Sequence, residues 1–153
     1  MDIGSGNTYP SNALSNFTPH PFVFDGVECT SMEGLLQAFK FENHEIQKEV
    51  CKMYGLGAKR RGSKRNKRWK QTQTLYWKGE AYKRDSEEYQ ELLDRAYEAL
   101  AQNDSFRRAL LASGNSTLTH SIGRRNSNET VLTIREFCGR LTKVRERLQK
   151  GEL

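Results

Sequence analysis

The sequence predicts a single compact α+β domain that is mainly helical and has a small β component. Several segments repeat apolar residues with the 3.6-residue period of a helix, an Asp-Gly hairpin precedes them, and no internal repeat or low-complexity tract divides the chain. Its 153 residues also correspond to about one domain. We expect a loose N-terminal segment over residues 1–13, where Gly, Ser, Asn and Pro are frequent, and the domain over residues 14–149.

The β component is predicted from residues 22–30, where Asp25-Gly26 separates two short apolar runs, as in a tight hairpin. Ser31 and Ser86 stand where helix N-caps are expected, and Asn103 marks a break between two helices. The remaining predicted elements are helices over residues 31–41, 45–54, 86–101, 104–112 and 133–149, a short strand over 117–122 and a polar loop over 123–128.

The last predicted helix, over residues 133–149, is amphipathic. Its apolar face carries Phe137, Leu141, Val144 and Leu148. We expect its basic residues to occupy the opposite side: Arg135, Arg140, Lys143, Arg145 and Arg147.

Charge is concentrated in one stretch, residues 59–70 (KRRGSKRNKRWK), which we call the basic strip. It holds eight basic residues and no acidic one, more than the net charge of +6, so the rest of the chain is mildly acidic. Such a strip attracts phosphate, on nucleic acid or on a small phosphorylated ligand. A solvated loop or a localisation-type basic run is the alternative interpretation.

Several protein classes are disfavoured by composition. No apolar run approaches the roughly 20 residues of a membrane span, and the N-terminus lacks the pattern of a secretory signal. Cys29, Cys51 and Cys138 are widely spaced, which argues against a disulfide framework or a zinc site and fits a reducing compartment. We therefore expect a cytoplasmic protein with no membrane partner, no metal and no cofactor.

The predicted helix over residues 31–41 is apolar nearly all round except for a narrow polar stripe. At about 100° per residue, Glu33, Gln37, Lys40 and His44 fall on one side of it. Burying ionisable groups costs several kcal/mol unless they are paired. The stripe therefore either forms a structural ion pair, Glu33 to Lys40 bridged by Gln37, or lines a pocket.

Three groups of residues give this chain a family resemblance: Ser15-Asn16-Phe17, Pro21-Phe22 with Asp25-Gly26, and Ser31-x-Glu33-x-x-x-Gln37-Ala38-x-Lys40-Phe41. In these motifs the chain resembles the NADAR superfamily, whose riboflavin-linked bacterial members are the YbiA-like N-glycosidases. The likeness spans roughly residues 14 to 145. Gly34 stands where the family pattern has His, so the sequence resembles a divergent branch.

The resemblance implies hydrolysis of an N-glycosidic bond between a base and a phosphorylated ribose or ADP-ribose. The substrates implied are riboflavin-pathway ribosylaminopyrimidine phosphates, or ADP-ribosylated guanine carried on nucleic acid. Lys40 matches the lysine thought to attack the anomeric carbon and form a Schiff base, and Glu33 would stabilise charge or carry a proton. Because a nearby carboxylate favours the ammonium form, Glu33 opposes the neutral amine that Lys40 needs.

Eight further residues are candidates for substrate binding. Asn16 and Phe17 lie beside the helix start, and Trp69 either stacks on a base or anchors the core. The full set is Asn16, Phe17, Gln37, Arg61, Gly62, Arg68, Trp69 and His120. The alternative function is a non-catalytic module that binds nucleic acid or ADP-ribose through the basic strip.

Overall fold

A computed structural model describes all residues, 1–153, and contains eight helices and two antiparallel hairpins. The helices are α1 (Ser11–Leu14), α2 (Met32–Ala38), α3 (His44–Cys51), α4 (Gly55–Ser63), α5 (Asn66–Thr72), α6 (Glu87–Leu100), α7 (Asp104–Ala112) and α8 (Ile134–Gln149). The strands are β1 (Phe22–Phe24), β2 (Val27–Cys29), β3 (Thr74–Trp77) and β4 (Glu80–Lys83), and they pair as β1–β2 and β3–β4.

One hydrophobic core joins these elements. It is a single cluster of 34 buried side chains that draws on every helix except α4, both hairpins and the N-terminal residue Ile3. Because burial of this apolar surface is continuous, nothing divides the chain into separate units. The structure confirms the predicted α+β class, mainly helical with a small β component.

The helix caps explain why several predicted boundaries are confirmed. Ser86, Asn103 and Thr133 each accept a hydrogen bond from a backbone N–H in the first turn of α6, α7 and α8. At α8, the Glu136 carboxylate also accepts a hydrogen bond from the Thr133 N–H and completes a capping box. The Asp25-Gly26 hairpin is confirmed as well, with both turn residues at positive φ.

The predicted helix over residues 31–41 is wrong at its C-terminal end. α2 stops at Ala38, and the N–H groups of Lys40 and Phe41 bond three residues back, in a tightened last turn. His44 belongs to the next helix, where its ring packs edge-on against Trp77. The polar stripe therefore ends at Lys40.

The interpretation of the basic strip as a loop is also wrong, because its residues lie in α4 and α5 with a turn at Lys64 and Arg65. The preceding helix is shorter than predicted, and Gly55, expected to follow it as a loop, begins α4. Helical conformation fixes which basic side chains share a face, so the strip has two chemically different sides.

The N-terminal segment, expected to be loose, packs on the body of the domain. Ile3 is fully buried, and its N–H bonds the Thr119 carbonyl while the Thr119 N–H bonds the Met1 carbonyl. The strand predicted over residues 117–122 is reduced to this one bridge, between Asp2 and Thr119. On α8, Arg145 is buried beside the apolar face and bonds Ser113, so its predicted place on the side opposite that face is wrong.

Candidate active site

A cavity of about 270 Å³ opens between α2, α4, α5 and the loop that leads into α8. Its lining includes Glu33, Gln37 and Lys40, the residues of the polar stripe. Ionisable side chains on its walls are mostly cationic or basic: Lys40, Lys59, Lys70, Arg124 and His120, against Glu33 and Glu129. This charge balance favours an anionic ligand.

Lys40 is half-buried at the end of α2, and its Nζ donates a 2.7 Å hydrogen bond to Oδ1 of Asn66. Burial lowers the pKa of the Lys40 ammonium to about 8, despite the attraction of Glu33, and the charges of Lys70 and Lys59 lower it further. The amine is therefore neutral in part of the molecules near neutral pH, the form that acts as a nucleophile.

Glu33 is paired with Gln37 and not with Lys40. Its Oε2 accepts a 2.6 Å bond from Gln37 Nε2, and no Glu33–Lys40 ion pair forms within 4.0 Å. Burial raises the pKa of the Glu33 carboxyl by more than the Gln37 bond and the Lys40 charge lower it. Burial thus shifts the pKa of each group towards its neutral form, which reduces the opposition between a carboxylate and an unprotonated lysine.

Asn16 is held at the cavity wall from two directions. Its carbonyl accepts from the Glu33 N–H at the start of α2, and its side-chain Oδ1 accepts a 2.9 Å bond from the buried Tyr97 hydroxyl. Because Oδ1 is occupied, the amide nitrogen of Asn16 remains as a donor for a ligand. Phe17 follows on the same wall.

One face of the basic strip meets the cavity at helical spacing. Lys59 and Ser63 are one turn apart on α4, and Asn66, Trp69 and Lys70 share a face of α5. Trp69 is both a buried core residue and part of the wall. Sequence reasoning missed Lys59, Ser63, Asn66 and Lys70, although the i, i+4 pattern would have found them had the strip been interpreted as helix.

Three of the predicted substrate-binding residues lie outside this cavity. Arg61 stacks over the Phe41 ring at 4.9 Å. Arg68 lines a neighbouring cavity of about 250 Å³, which shares the Lys40 and Trp69 wall. Gly62 packs under Gln37, where an added Cβ would come within 1.8 Å of the Gln37 Oε1 atom.

Gly34, which replaces the His of the family pattern, is fixed by close packing of backbones. A Cβ at this position would lie 2.6 Å from the Met53 carbonyl oxygen and 2.8 Å from that of Val50. The end of α3 therefore occupies the space where a side chain at residue 34 would go.

His120 also lines the cavity, half-buried, with its ring edge-to-face on Phe137 at 5.2 Å. The structure thus brings Asn16, Phe17, Glu33, Gln37, Lys40, Trp69 and His120 together around one cavity. No cluster of three or more His, Cys, Asp or Glu side chains has a metal-binding arrangement. None of the helices combines the length and apolarity that crossing a membrane requires.

Comparison with known proteins places the chain in a family. The profile of the family described as Bacteriophage protein GP30.3 matches residues 8–146. The chain belongs to the GP30.3 family. A relative in enterobacteria phage T4 is 39% identical over 150 residues, which are 97% of this chain and 98% of the relative. That relative is described as the uncharacterized 17.1 kDa protein in the Gp30-rIII intergenic region.

The chain also shares its fold with a bacterial protein. The NMR structure of Escherichia coli YbiA superposes with a TM-score of 0.61 at 18% identity, over 98% of this chain and 84% of that one. This confirms the YbiA-like fold that the sequence resemblance implies, and the phage family agrees with a divergent branch.

Proposed function

We propose that this protein is an N-glycosidase that hydrolyses the bond between a base and a phosphorylated ribose or ADP-ribose. The observation that carries the proposal is the Lys40 amine, which is half-buried, has a pKa lowered to about 8 and is held by Asn66 in the cavity beside Glu33. A lysine without an ion-pair partner in a cationic cavity suits a covalent step on an anionic sugar.

The chemistry needs one nucleophile and a source of protons. The neutral Lys40 amine attacks the anomeric carbon, and the bond to the base nitrogen breaks with its electron pair leaving on the base, which takes a proton. Loss of a proton from the new C–N linkage opens the sugar ring, whose oxygen is protonated, and leaves an iminium on Lys40. Water adds to this carbon, the bond to Lys40 breaks, and the free sugar and the amine are released.

Other cavity residues have supporting roles in this proposal. Glu33 stabilises the positive charge that develops on the ribose. Asn16 donates from its amide to sugar hydroxyls or to the base edge, and Lys59 and Lys70 meet the phosphate. At about 270 Å³ the cavity lies just below the usual range of small-ligand pockets, about 300–1,000 Å³, so a ribosyl phosphate fits its size better than a larger group.

The test incubates the purified protein with ADP-ribosylated guanine in DNA and, separately, with the riboflavin-pathway ribosylaminopyrimidine phosphate, and measures base release by chromatography. Borohydride added during turnover should trap the sugar on the wild-type protein but not on Lys40→Ala. Lys143→Ala, which changes an exposed lysine on α8 outside both cavities, is the matched control. No base release from either substrate would overturn the proposal.

A binding module without catalysis is the second candidate. It is favoured by the outer face of the basic strip, where Arg60, Lys64 and Lys67 are exposed and contact neither cavity. Binding of ADP-ribose or DNA without base release, unchanged in Lys40→Ala, would support this function over the enzyme.

A further inference from the structure

The orientation of the His120 ring is fixed by a backbone acceptor. Its Nδ1 lies 2.8 Å from the carbonyl oxygen of Ile3. Since a carbonyl oxygen only accepts, Nδ1 must carry the proton of this bond. The other nitrogen, Nε2, makes no hydrogen bond within the protein and so remains for a ligand in the cavity that His120 lines.

The N-terminal segment braces both neighbours of this histidine. The Asp2 carboxylate accepts 2.7 Å and 2.6 Å bonds from the N–H and hydroxyl of Ser121, and a 3.2 Å bond from the Thr119 hydroxyl. Together with the Ile3 carbonyl, these contacts hold residues 119–121 against the first three residues of the chain.

Packing leaves the ring little freedom. Phe137 contacts it edge-to-face at 5.2 Å. On the other side, a Cβ on Gly123 would lie 2.6 Å from His120 Cδ2, so only glycine permits this close approach. An imidazole with one nitrogen anchored to a carbonyl and the other free is the arrangement of a positioned proton carrier.

We propose that His120 is a further catalytic residue, and that Asp2 and Ile3 are positioning residues for it; this rests on the N-glycosidase function proposed above. The protonated Nε2 donates its proton to the base nitrogen as the glycosidic bond breaks. Neutral Nε2 then takes a proton from the water that adds to the iminium on Lys40, so the cycle restores the imidazolium. The N-terminal segment is thereby part of the active site.

The charges around His120 come from three elements. Asp2 faces it from the N-terminal segment, Glu33 faces it across the cavity from α2, and Arg124 lies on its own loop; α8 contributes the uncharged Phe137. The proposal predicts that base release needs two groups, the neutral amine of Lys40 and the proton donor at Nε2 of His120. The rate rises with pH as Lys40, whose pKa is about 8, loses its proton.

The first test measures the chemical step of base release against pH in the full chain. His120→Asn keeps a donor for the Ile3 carbonyl but lacks Nε2, and we expect base release to slow by about 10²- to 10⁴-fold. Its remaining activity should keep the rise with pH that reports Lys40, and imidazole added to the buffer should restore part of the lost rate because it replaces the missing proton donor. His44→Asn, outside the cavity, is the matched control. A loss of rate smaller than about 10-fold in His120→Asn, or a loss that added imidazole does not restore, would overturn the catalytic role.

The second test does not depend on activity. Nitrogen-15 NMR of the imidazoles should show His120 protonated at Nδ1 in the wild-type protein, and a mixture of tautomers in Asp2→Ala. Asp2→Ala should also lower kcat with little change in KM. A wild-type His120 protonated at Nε2, or a tautomer and kcat unaffected by Asp2→Ala, would overturn the positioning role. If wild-type protein releases no base at any pH, the catalytic role falls with the proposed function, and the NMR result still decides whether the brace exists.

Discussion

Lys40 Nζ donates a 2.7 Å hydrogen bond to Oδ1 of Asn66, a residue 26 positions further along the chain. The pairing joins the end of α2 to the start of α5, so the basic strip contributes the neutral partner of the proposed nucleophile. An amide accepts a hydrogen bond without adding a negative charge. Lys40 is therefore oriented without the rise in pKa that a carboxylate partner would cause.

Removal of the Asn66 amide should misplace Lys40. We expect Asn66→Ala to lower the rate of base release by about 10²-fold, as is common when a reacting group shifts by about 1 Å. Borohydride trapping should slow in parallel, whereas Lys143→Ala, exposed on α8 and outside the cavity, should leave both rates unchanged. Trapping at the wild-type rate in Asn66→Ala would contradict this role.

Lys40 should lower the stability of the folded protein at neutral pH. Its pKa falls from 10.5 to about 8 on folding, so the charged form is disfavoured in the folded state. This cost in folding free energy is complete below pH 8, decreases between pH 8 and pH 10.5, and vanishes above pH 10.5. Because each pH unit between the two pKa values corresponds to about 1.36 kcal/mol, the cost is at most about 3 kcal/mol.

Lys40→Met should consequently be inactive but harder to unfold than the wild type at pH 7. Urea denaturation at pH 7 and at pH 10.5 measures the difference, which should shrink at the higher pH. Lys67→Met, at an exposed position, is the control. A less stable Lys40→Met protein at pH 7 would show that the Asn66 bond outweighs the burial of charge.

Gly34 should not tolerate even a methyl group. Its neighbours at 2.6 Å and 2.8 Å from an added Cβ are backbone carbonyls of α3 and the residues after it, which cannot rotate away. We expect Gly34→Ala to lower the free energy of unfolding by about 1–3 kcal/mol. Gly139→Ala on α8, with no atom within 4 Å, should raise it by about 0.5–1 kcal/mol. Equal effects of the two substitutions would refute the close packing.

The buried pair of Arg84 and Glu136 should stabilise the cavity wall. Arg84 forms 2.6 Å and 3.1 Å bonds with Glu136 and also bonds the carbonyl of Thr130, which lines the cavity. Arg84→Met should cost about 3–5 kcal/mol, because it leaves the largely buried Glu136 carboxylate without its cationic partner. Arg147→Met, which breaks an exposed pair at 3.7 Å, should cost at most about 1 kcal/mol.

The same pair should make the free energy of unfolding decrease at acid pH. Burial acts to raise the pKa of Glu136, but the bonds from Arg84, Thr133 and Gln90 outweigh it, and the net shift is downward. A lowered pKa stabilises the folded state above the ordinary pKa of glutamate, and this contribution is lost as the pH falls through the shifted value. Thermal unfolding from pH 7 to pH 3 should show a steeper loss in the wild type than in Glu136→Gln.

The outer face of the basic strip should govern any affinity for nucleic acid. Replacement of Arg60, Lys64 and Lys67 by Ala should reduce the slope of log affinity against log salt by about 2 for single-stranded DNA, if each contacts one phosphate. Base release from a small phosphorylated substrate should be unaffected. A slope that does not change would leave these three cations without a role in binding.

Local sequence signals predicted the elements that depend on neighbouring residues. The Asp25-Gly26 turn and the caps at Ser86 and Thr133 are short-range hydrogen-bonding patterns, and each was found where expected. The helices of the basic strip are not predicted in this way, because the charge of Lys and Arg suggests an exposed loop when it is considered alone. Lys and Arg are among the better helix-forming residues. Burial of Trp69 holds α5 against the core.

The spacing of Glu33, Gln37 and Lys40, with the motif around Asn16, was enough to identify one wall of the candidate site and the family resemblance. The other walls depend on contacts between residues far apart in the chain. Asn66 reaches Lys40 only because α4 packs on α2, and His120 reaches the cavity only because the N-terminal segment binds residues 119–121. A sequence pattern indicates which residues share a face of a helix. Tertiary packing decides which residues that face contacts, and therefore how deeply Lys40 is buried and how far its pKa is lowered.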